Sequence, residues 1–287
     1  MTPVVIESAA AMRLYIDERR RAEPECQVGF VPTMGALHRG HARLIEQARK
    51  ACRTVVVSIF VNPLQFDRPD DLDRYPRTLE TDLDLCAGLG VDTVFAPSAA
   101  EMYPRPPACV VDVHRLADHL CGRFRPGHFG GMATVVLKLF QIVRPDQAYF
   151  GEKDAQQLAI IRRLVADLNV PVEIVPVPTV RDEDGLALSS RNRRLSPEER
   201  EQATSLYRAL GEARRQILAG ARDPGEVRRH ATAVIPAHAG IKLEYLAIVD
   251  PEELQPVEQV AGPVLVAGAL WVGSTRLIDN LLCSPPP

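Results

Sequence analysis

The sequence predicts an α/β protein: a parallel sheet with helices on both faces, joined to a smaller C-terminal α+β domain. Three observations predict it. Short apolar runs alternate with helical spacings up to residue 179. One of those runs, "TVVVSIFV", is rich in β-branched residues throughout, as a strand buried on both faces requires. Beyond Val180 the order changes to helices followed by strands. The domains are therefore placed at 1–179 and 180–287.

The elements follow in order. "QVGFVPT" reads as a strand, and "HARLIEQARKAC" as a helix with apolar residues at Leu44, Ile45, Ala48, Ala51 and Cys52. After "TVVVSIFV", "TLETDLDLCAGLG" is a helix stopped by Gly88 and Gly90, and "VDTVFAP" a strand. "GGMATVVLKLFQIVRP" is a helix halted by Pro145. "QAYFGE", "DAQQLAIIRRLVADLN" and "VEIVPVPTV" are strand, helix and strand. Ligands of such sheets sit beyond the carboxyl ends of the strands. "LSPEEREQATSLYRALGEARRQIL" opens on Ser196, Pro197 and Glu199, a capping box with proline at the first helical position. A second helix, "DPGEVRRHATAVI", precedes three strands, "IKLEYLAIVD", "PVLVAGALWV" and "TRLIDNLL"; the tail "SPPP" is expected to fray.

Bulk properties bound the function. With 287 residues, 46% of them hydrophobic, the chain can bury a large core. A net charge of −3 argues against a nucleic-acid partner. No apolar run approaches the roughly 20 residues of a membrane span, and "MTPVVIESAAAMRLYIDERR" lacks a secretory layout, so a cytoplasmic protein is expected. Six cysteines without a C-x-x-C pair read as buried free thiols in a reducing compartment.

"VPTMGALHRGH" carries the first candidate site, where a strand gives way to a helix. Orphan N–H groups at such a junction bind anions, and Gly35 and Gly40 admit a phosphate or adenine close to the main chain. His38 and His41 can each donate to a phosphate oxygen. The alternative is a plain turn with two partly exposed histidines; a metal site lacks a third nearby ligand.

Later stretches also read two ways. Asn62 and Gln65 follow the buried strand and suit a ligand bearing hydroxyl and carboxylate groups, or form a polar turn around Pro63. The acidic residues of "YPRTLETDLDLC", Asp82 among them, fit a solvated helix face. Arg123, Arg125 and His128 suit an anionic ligand or line a surface loop. Lys153 offers phosphates a compact charge, Asp154 can accept from ribose hydroxyls, and Gln157 shares that side of the turn; a capped helix with a surface lysine fits too. Ser189, Ser190 and Arg191 suit the phosphates of a leaving pyrophosphate, or mark an interdomain hinge; both hold if a phosphate-clasping hinge closes the second domain as a lid.

The H-x-G-H arrangement after a first strand resembles the nucleotidyltransferase superfamily. The string "VPTMGALHRGHARLI", followed in order by "NPLQF", "YPRT", "RPGHF", "FGEKDAQQL" and "SSRNRRLS", is similar to the pantothenate synthetase (pantoate–β-alanine ligase) family over nearly the whole chain. The resemblance implies a Rossmann-like sheet and ATP-dependent condensation of (R)-pantoate with β-alanine through pantoyl-adenylate, releasing AMP and diphosphate, a step toward vitamin B5 and coenzyme A. It implies ATP contacts at Met34, Gly35, Ala36, Leu37, His38, Arg39, Gly40 and His41, at Gly151, Glu152, Lys153 and Asp154, and at Val180, Leu188, Ser189, Ser190 and Arg191. Pantoate and β-alanine would meet Gln65, Gln157, Asn62 and Arg125. His41, His38, Lys153 and Arg191 would carry catalysis, with His41 matching a proton donor. Mg2+ would travel with ATP, Asp82 lies at the family's proposed magnesium region, and a homodimer is implied. Leu188 departs from the family's usual methionine, a swap of similar volume. The runner-up is a cofactor nucleotidyltransferase that keeps the nucleotide in its product; a regulatory nucleotide-binding module without turnover is a third possibility.

Overall fold

A computed structural model describes residues 2–286. The chain partitions into two compact units. The first gathers the chain up to Val113 with Arg125–Glu152 and Ile160–Pro178; the second holds His114–Phe124, Lys153–Ala159 and everything from Thr179 onward. The last cut of this partition falls between Pro178 and Thr179, and two earlier segments also belong to the second unit.

Chain order in the α/β part is β1 (Val4–Ile6), α1 (Ala9–Ala22), β2 (Val28–Thr33), α2 (Arg39–Ala51), β3 (Thr54–Ile59), α3 (Pro69–Asp73), α4 (Leu79–Gly88), β4 (Thr93–Phe95), α5 (Ala99–Met102), α6 (Leu120–Phe124), α7 (His128–Val143), β5 (Gln147–Gly151), α8 (Ala155–Asp167) and β6 (Glu173–Val177). The six strands pair in parallel in the order β1-β4-β3-β2-β5-β6. Val55, Val56 and Val57 of β3 are fully buried, as their unbroken apolar run requires. From β2 the chain steps to β3 on one side and later to β5 on the other. The carboxyl ends of β2 and β5 therefore form the switch point of the sheet.

β1, α1, α3, α5 and α6 lie outside the periodicity argument. β1 has three residues, only one of them buried, too short for an alternation signal. The buried face of α1 is only Met12 and Ile16, one turn apart, with Ser8 as its cap.

In the second unit α9 (Pro197–Leu218) and α10 (Pro224–Ala233) precede β7 (Ile241–Val249), β8 (Val264–Val272) and β9 (Thr275–Cys283), which form an antiparallel sheet in that order. Leu206, Leu210 and Ile217 of α9 pack in one core with Val266 and Leu270 of β8. The capping box forms: Ser196 Oγ accepts from Glu199 N at 3.2 Å, and Glu199 Oε2 accepts from Ser196 N at 2.9 Å. Residues 284–286 carry no regular structure, and the last residue of the expected frayed tail lies outside the described residues. Among the described residues, no helix is long and apolar enough to cross a membrane.

All six cysteines are free thiols and only Cys109 is exposed. Burial pushes Cys86 up to about 12 and Cys283 up to about 11, and raises Cys52, so thiolate is scarce at these sites. A disulfide reagent at about pH 8 is expected to titrate Cys109 rapidly in the native protein and the remaining thiols only after denaturation. Rapid native reaction of Cys86 would contradict this burial.

Candidate active site

The loop after β2 is a built structure. Gly35 has φ +80°, and a Cβ there would meet Asp82 Oδ2 at 3.0 Å. Ala36 follows at φ +50°. Buried polar groups hold this left-handed backbone in place. Thr33 Oγ1 accepts from Gly35 N at 3.1 Å and donates to the Ser58 carbonyl at 2.7 Å. Asp82, 2% exposed, reaches across from α4: Oδ2 accepts from Ala36 N at 2.9 Å and Oδ1 from Leu37 N at 2.8 Å. The Thr78 hydroxyl also donates to Asp82, at 3.3 Å.

Both histidines cap α2. His38 is the N-cap and its Nδ1 accepts from Gly40 N at 3.1 Å; His41 Nδ1 accepts from His38 N at 3.3 Å. This is a capping box with imidazoles in place of hydroxyl and carboxylate. The rings lie 4.1 Å apart at their centroids. A ring that accepts at Nδ1 carries its hydrogen on Nε2, so the cap fixes the tautomer and aims the N–H edges away from the helix backbone. Met34 and Gly40 are partly buried and Arg39 is exposed beside them.

A second layer of the first unit centres on Gln65, 7% exposed, whose Nε2 donates to Met34 Sδ at 3.1 Å. Its Oε1 accepts from Asn62 Nδ2 at 3.0 Å. Asn62 is 1% exposed and also donates to the Gly131 carbonyl and accepts from Tyr103 OH at 2.9 Å. Burial pushes Tyr103 up to about 12, which keeps it a donor. The structure thus sets Asn62 behind Gln65, orienting it. Arg125 Nη2 and His128 Nδ1 lie 3.3 and 2.6 Å from the Gln65 carbonyl, while Arg125 Nε donates to Asp67 at 2.8 Å. α7 approaches so closely that a Cβ on Gly131 would sit 2.1 Å from the Leu64 carbonyl.

Of the remaining candidates, Gly151 and Glu152 end the first unit's segment Arg125–Glu152, and the others lie in the second unit. Lys153 and Asp154 lie in a single 3-10 turn, Glu152–Asp154, with Lys153 Nζ 3.9 Å from Asp154 Oδ1. Gln157 is partly buried one residue after Gln156, which is 6% exposed. Gln156 Oε1 accepts from Cys121 N at 2.9 Å, and its Nε2 donates to the Leu116 and His119 carbonyls. Val180 and Leu188 face each other across a hairpin, Leu188 N donating to Val180 O at 3.0 Å. Ser189 caps the short helix Ser190–Arg194 by accepting from Arg191 N at 3.3 Å.

Within the first unit the structure brings Gly35–His41 together with Asp82, and Gln65 together with Asn62 and Arg125. Asp82, a metal candidate by resemblance, does not lie on a solvated helix face: it is buried with both oxygens on backbone amides, a loop-anchoring arrangement. Thr33, Tyr103, Gly131 and Gln156 escaped sequence reasoning. Only the glycine pair at the start of α7 offered a signal, since a helix interior rarely spends glycine without a close neighbour.

The family model for pantoate-beta-alanine ligase matches residues 4–282. A pantothenate synthetase from Heliobacterium modesticaldum is 54% identical over 97% of this chain and 98% of its own length. The crystal structure of pantothenate synthetase from Thermus thermophilus superposes with TM-score 0.91 at 48% identity, covering 98% of this chain and 100% of that one. A pantoate-beta-alanine ligase from Francisella tularensis, crystallised with a β,γ-ATP compound and β-alanine, matches with TM-score 0.79 at 37% identity over 98% of this chain and 97% of its own. With matches spanning nearly the whole length and the H-x-G-H loop at the switch point of the sheet, the chain belongs to the pantoate-beta-alanine ligase family.

Proposed function

We propose that this chain joins (R)-pantoate to β-alanine by way of pantoyl-adenylate. A pantoate carboxylate oxygen attacks the α-phosphorus of ATP and the bond to pyrophosphate breaks. The β-alanine amine then attacks the acyl carbon, and AMP leaves with the carboxylate oxygen it acquired. The carrying observation is the double-imidazole cap after β2, with rings 4.1 Å apart at the strand ends where ligands of such sheets bind. Family membership supports the ligation, and the nucleotide-retaining transferase is not favoured.

His41 and His38 donate from Nε2 to phosphate oxygens, with Lys153 and Arg191 adding charge as pyrophosphate departs. The main chain of Met34–Gly40, Gly151–Asp154, Val180 and Leu188–Ser190 receives the nucleotide. Gln65 and Gln157 hold pantoate; Asn62 and Arg125 act through Gln65, which they fix from the side chain and the carbonyl. No covalent enzyme intermediate is needed, so alignment and charge supply the catalysis. Among the described residues no three acidic, cysteine or histidine side chains form a metal cluster. A magnesium ion would ride on the ATP phosphates, keeping most of its waters and few protein ligands, and would neutralise part of their charge. A cytoplasmic homodimer completes the reading.

Pyrophosphate release is expected with ATP and pantoate together, with AMP and an amide product on adding β-alanine. Other hydroxy acids should give little. Gln65→Ala should raise the apparent KM for pantoate about tenfold or more and that for ATP much less. A stable nucleotide conjugate as product would overturn the ligation, and equal effects on both substrates would remove Gln65 from the pantoate pocket.

A further inference from the structure

β9 carries two adjacent polar residues whose side chains leave the strand on opposite faces. Asp279 is 5% exposed and takes a two-pronged ion pair, its oxygens accepting from Arg181 Nη1 at 2.6 Å and Nη2 at 2.9 Å. Arg181 Nη1 also donates to the Gly185 carbonyl at 3.1 Å, and the guanidinium lies 4.1 Å from the centroid of the Tyr207 ring. Arg181 is paired with Ala187 in an antiparallel bridge, so this clasp sets the hairpin that hands over to Ser189, Ser190 and Arg191. Asn280, the next residue, donates from Nδ2 to the Lys153 carbonyl at 2.8 Å. Its own N–H donates to Asp279 Oδ1 at 2.8 Å, locking the two residues together.

We infer that Asp279 and Asn280 are a positioning pair for ATP, holding the Lys153 turn and the Ser189–Arg191 loop in one register from a single rigid strand. This rests on the assignment of Lys153 and Ser189–Arg191 to the phosphates proposed above. A three-residue 3-10 turn has few hydrogen bonds of its own, and a charge misplaced by about 1 Å weakens catalysis steeply. β9 is paired with β8 along its whole length, which makes it a stiff backing. Gln157 lies on α8, whose adjoining Gln156 makes its own hydrogen bonds to Cys121 N and the Leu116 carbonyl, so the Asn280 contact is expected to act on ATP more than on pantoate.

The test is steady-state pyrophosphate release by the full chain with pantoate and ATP varied in turn. Asn280→Leu keeps the volume and removes the donor. Its apparent KM for ATP should rise about fivefold or more, with that for pantoate within about twofold and the melting temperature little changed. Asp279→Asn, which leaves the shape and removes the charge from the Arg181 clasp, should move the same constant in the same direction. An unchanged KM for ATP, or equal rises for both substrates, overturns the inference. So does loss of folding in both Asn280→Leu and the milder Asn280→Ser, which would make the contact a structural one. Absence of pantoate-dependent pyrophosphate release from the unmodified chain overturns the functional reading itself and this inference with it; failure confined to the variants leaves that reading standing.

Discussion

His41→Ala lowers pantoate-dependent pyrophosphate release at least about tenfold while the protein still folds. Two effects combine in this variant, and a second substitution separates them. The His41 ring accepts from His38 N at 3.3 Å, so alanine also removes half of the cap on α2. Loss of a capping acceptor costs about 1 kcal/mol. Glutamine at this position can accept from the same N–H, as it does in ordinary capping boxes, yet cannot supply an imidazole. His41→Gln should therefore keep wild-type stability and lose the same rate as alanine. Stability is read from urea unfolding and rate from pyrophosphate release. Wild-type turnover in either variant would withdraw the proton-donor role. A rate loss in alanine alone would leave His41 as a cap.

The second large effect belongs to Asp82. Replacing this buried carboxylate with asparagine keeps the shape but turns one acceptor into an N–H2 group facing an N–H. Two amides that now have charged acceptors, Ala36 N and Leu37 N, cannot both be satisfied. Stability should fall by about 2–4 kcal/mol. The left-handed backbone at Gly35 and Ala36 then loses its anchor, and the adjoining His38 cap loosens with it. Pyrophosphate release should drop by about tenfold or more, with the magnesium concentration for half-maximal rate unchanged. A shifted magnesium dependence with intact stability would instead make Asp82 a metal ligand.

These two residues show how unevenly the chain disclosed itself. His38 and His41 stood out because histidine is uncommon and the two flank a glycine at a strand-to-helix junction. Asp82 reads from sequence as part of a solvated helix face or, by resemblance, as a magnesium candidate; its anchoring role is not legible there. Its partners, Ala36 and Leu37, lie more than forty residues away in sequence and offer only backbone groups, which carry no side-chain signature. Asn62 and Gln65 were visible as a pair of amides, but their separation into an orienting and a presenting residue depends on Tyr103 and Gly131, contributed by other parts of the chain. Cys86 and Cys52 behave as the spacing implies, because burial alone decides them.

By itself the sequence determined the alternation of strand and helix, the change of texture near Val180, the cap of α9, and the family. Each of these is written in local periods of two or 3.6 residues or in short strings whose chemistry is close at hand. Tertiary structure alone decided the strand order that makes β2 and β5 neighbours, the burial of Asp82 against a distant backbone, and the reach of Asn280 to Lys153. Those contacts link residues far apart along the chain through main-chain atoms, and the main chain is the same at every position until folding gives each N–H and C=O its partner.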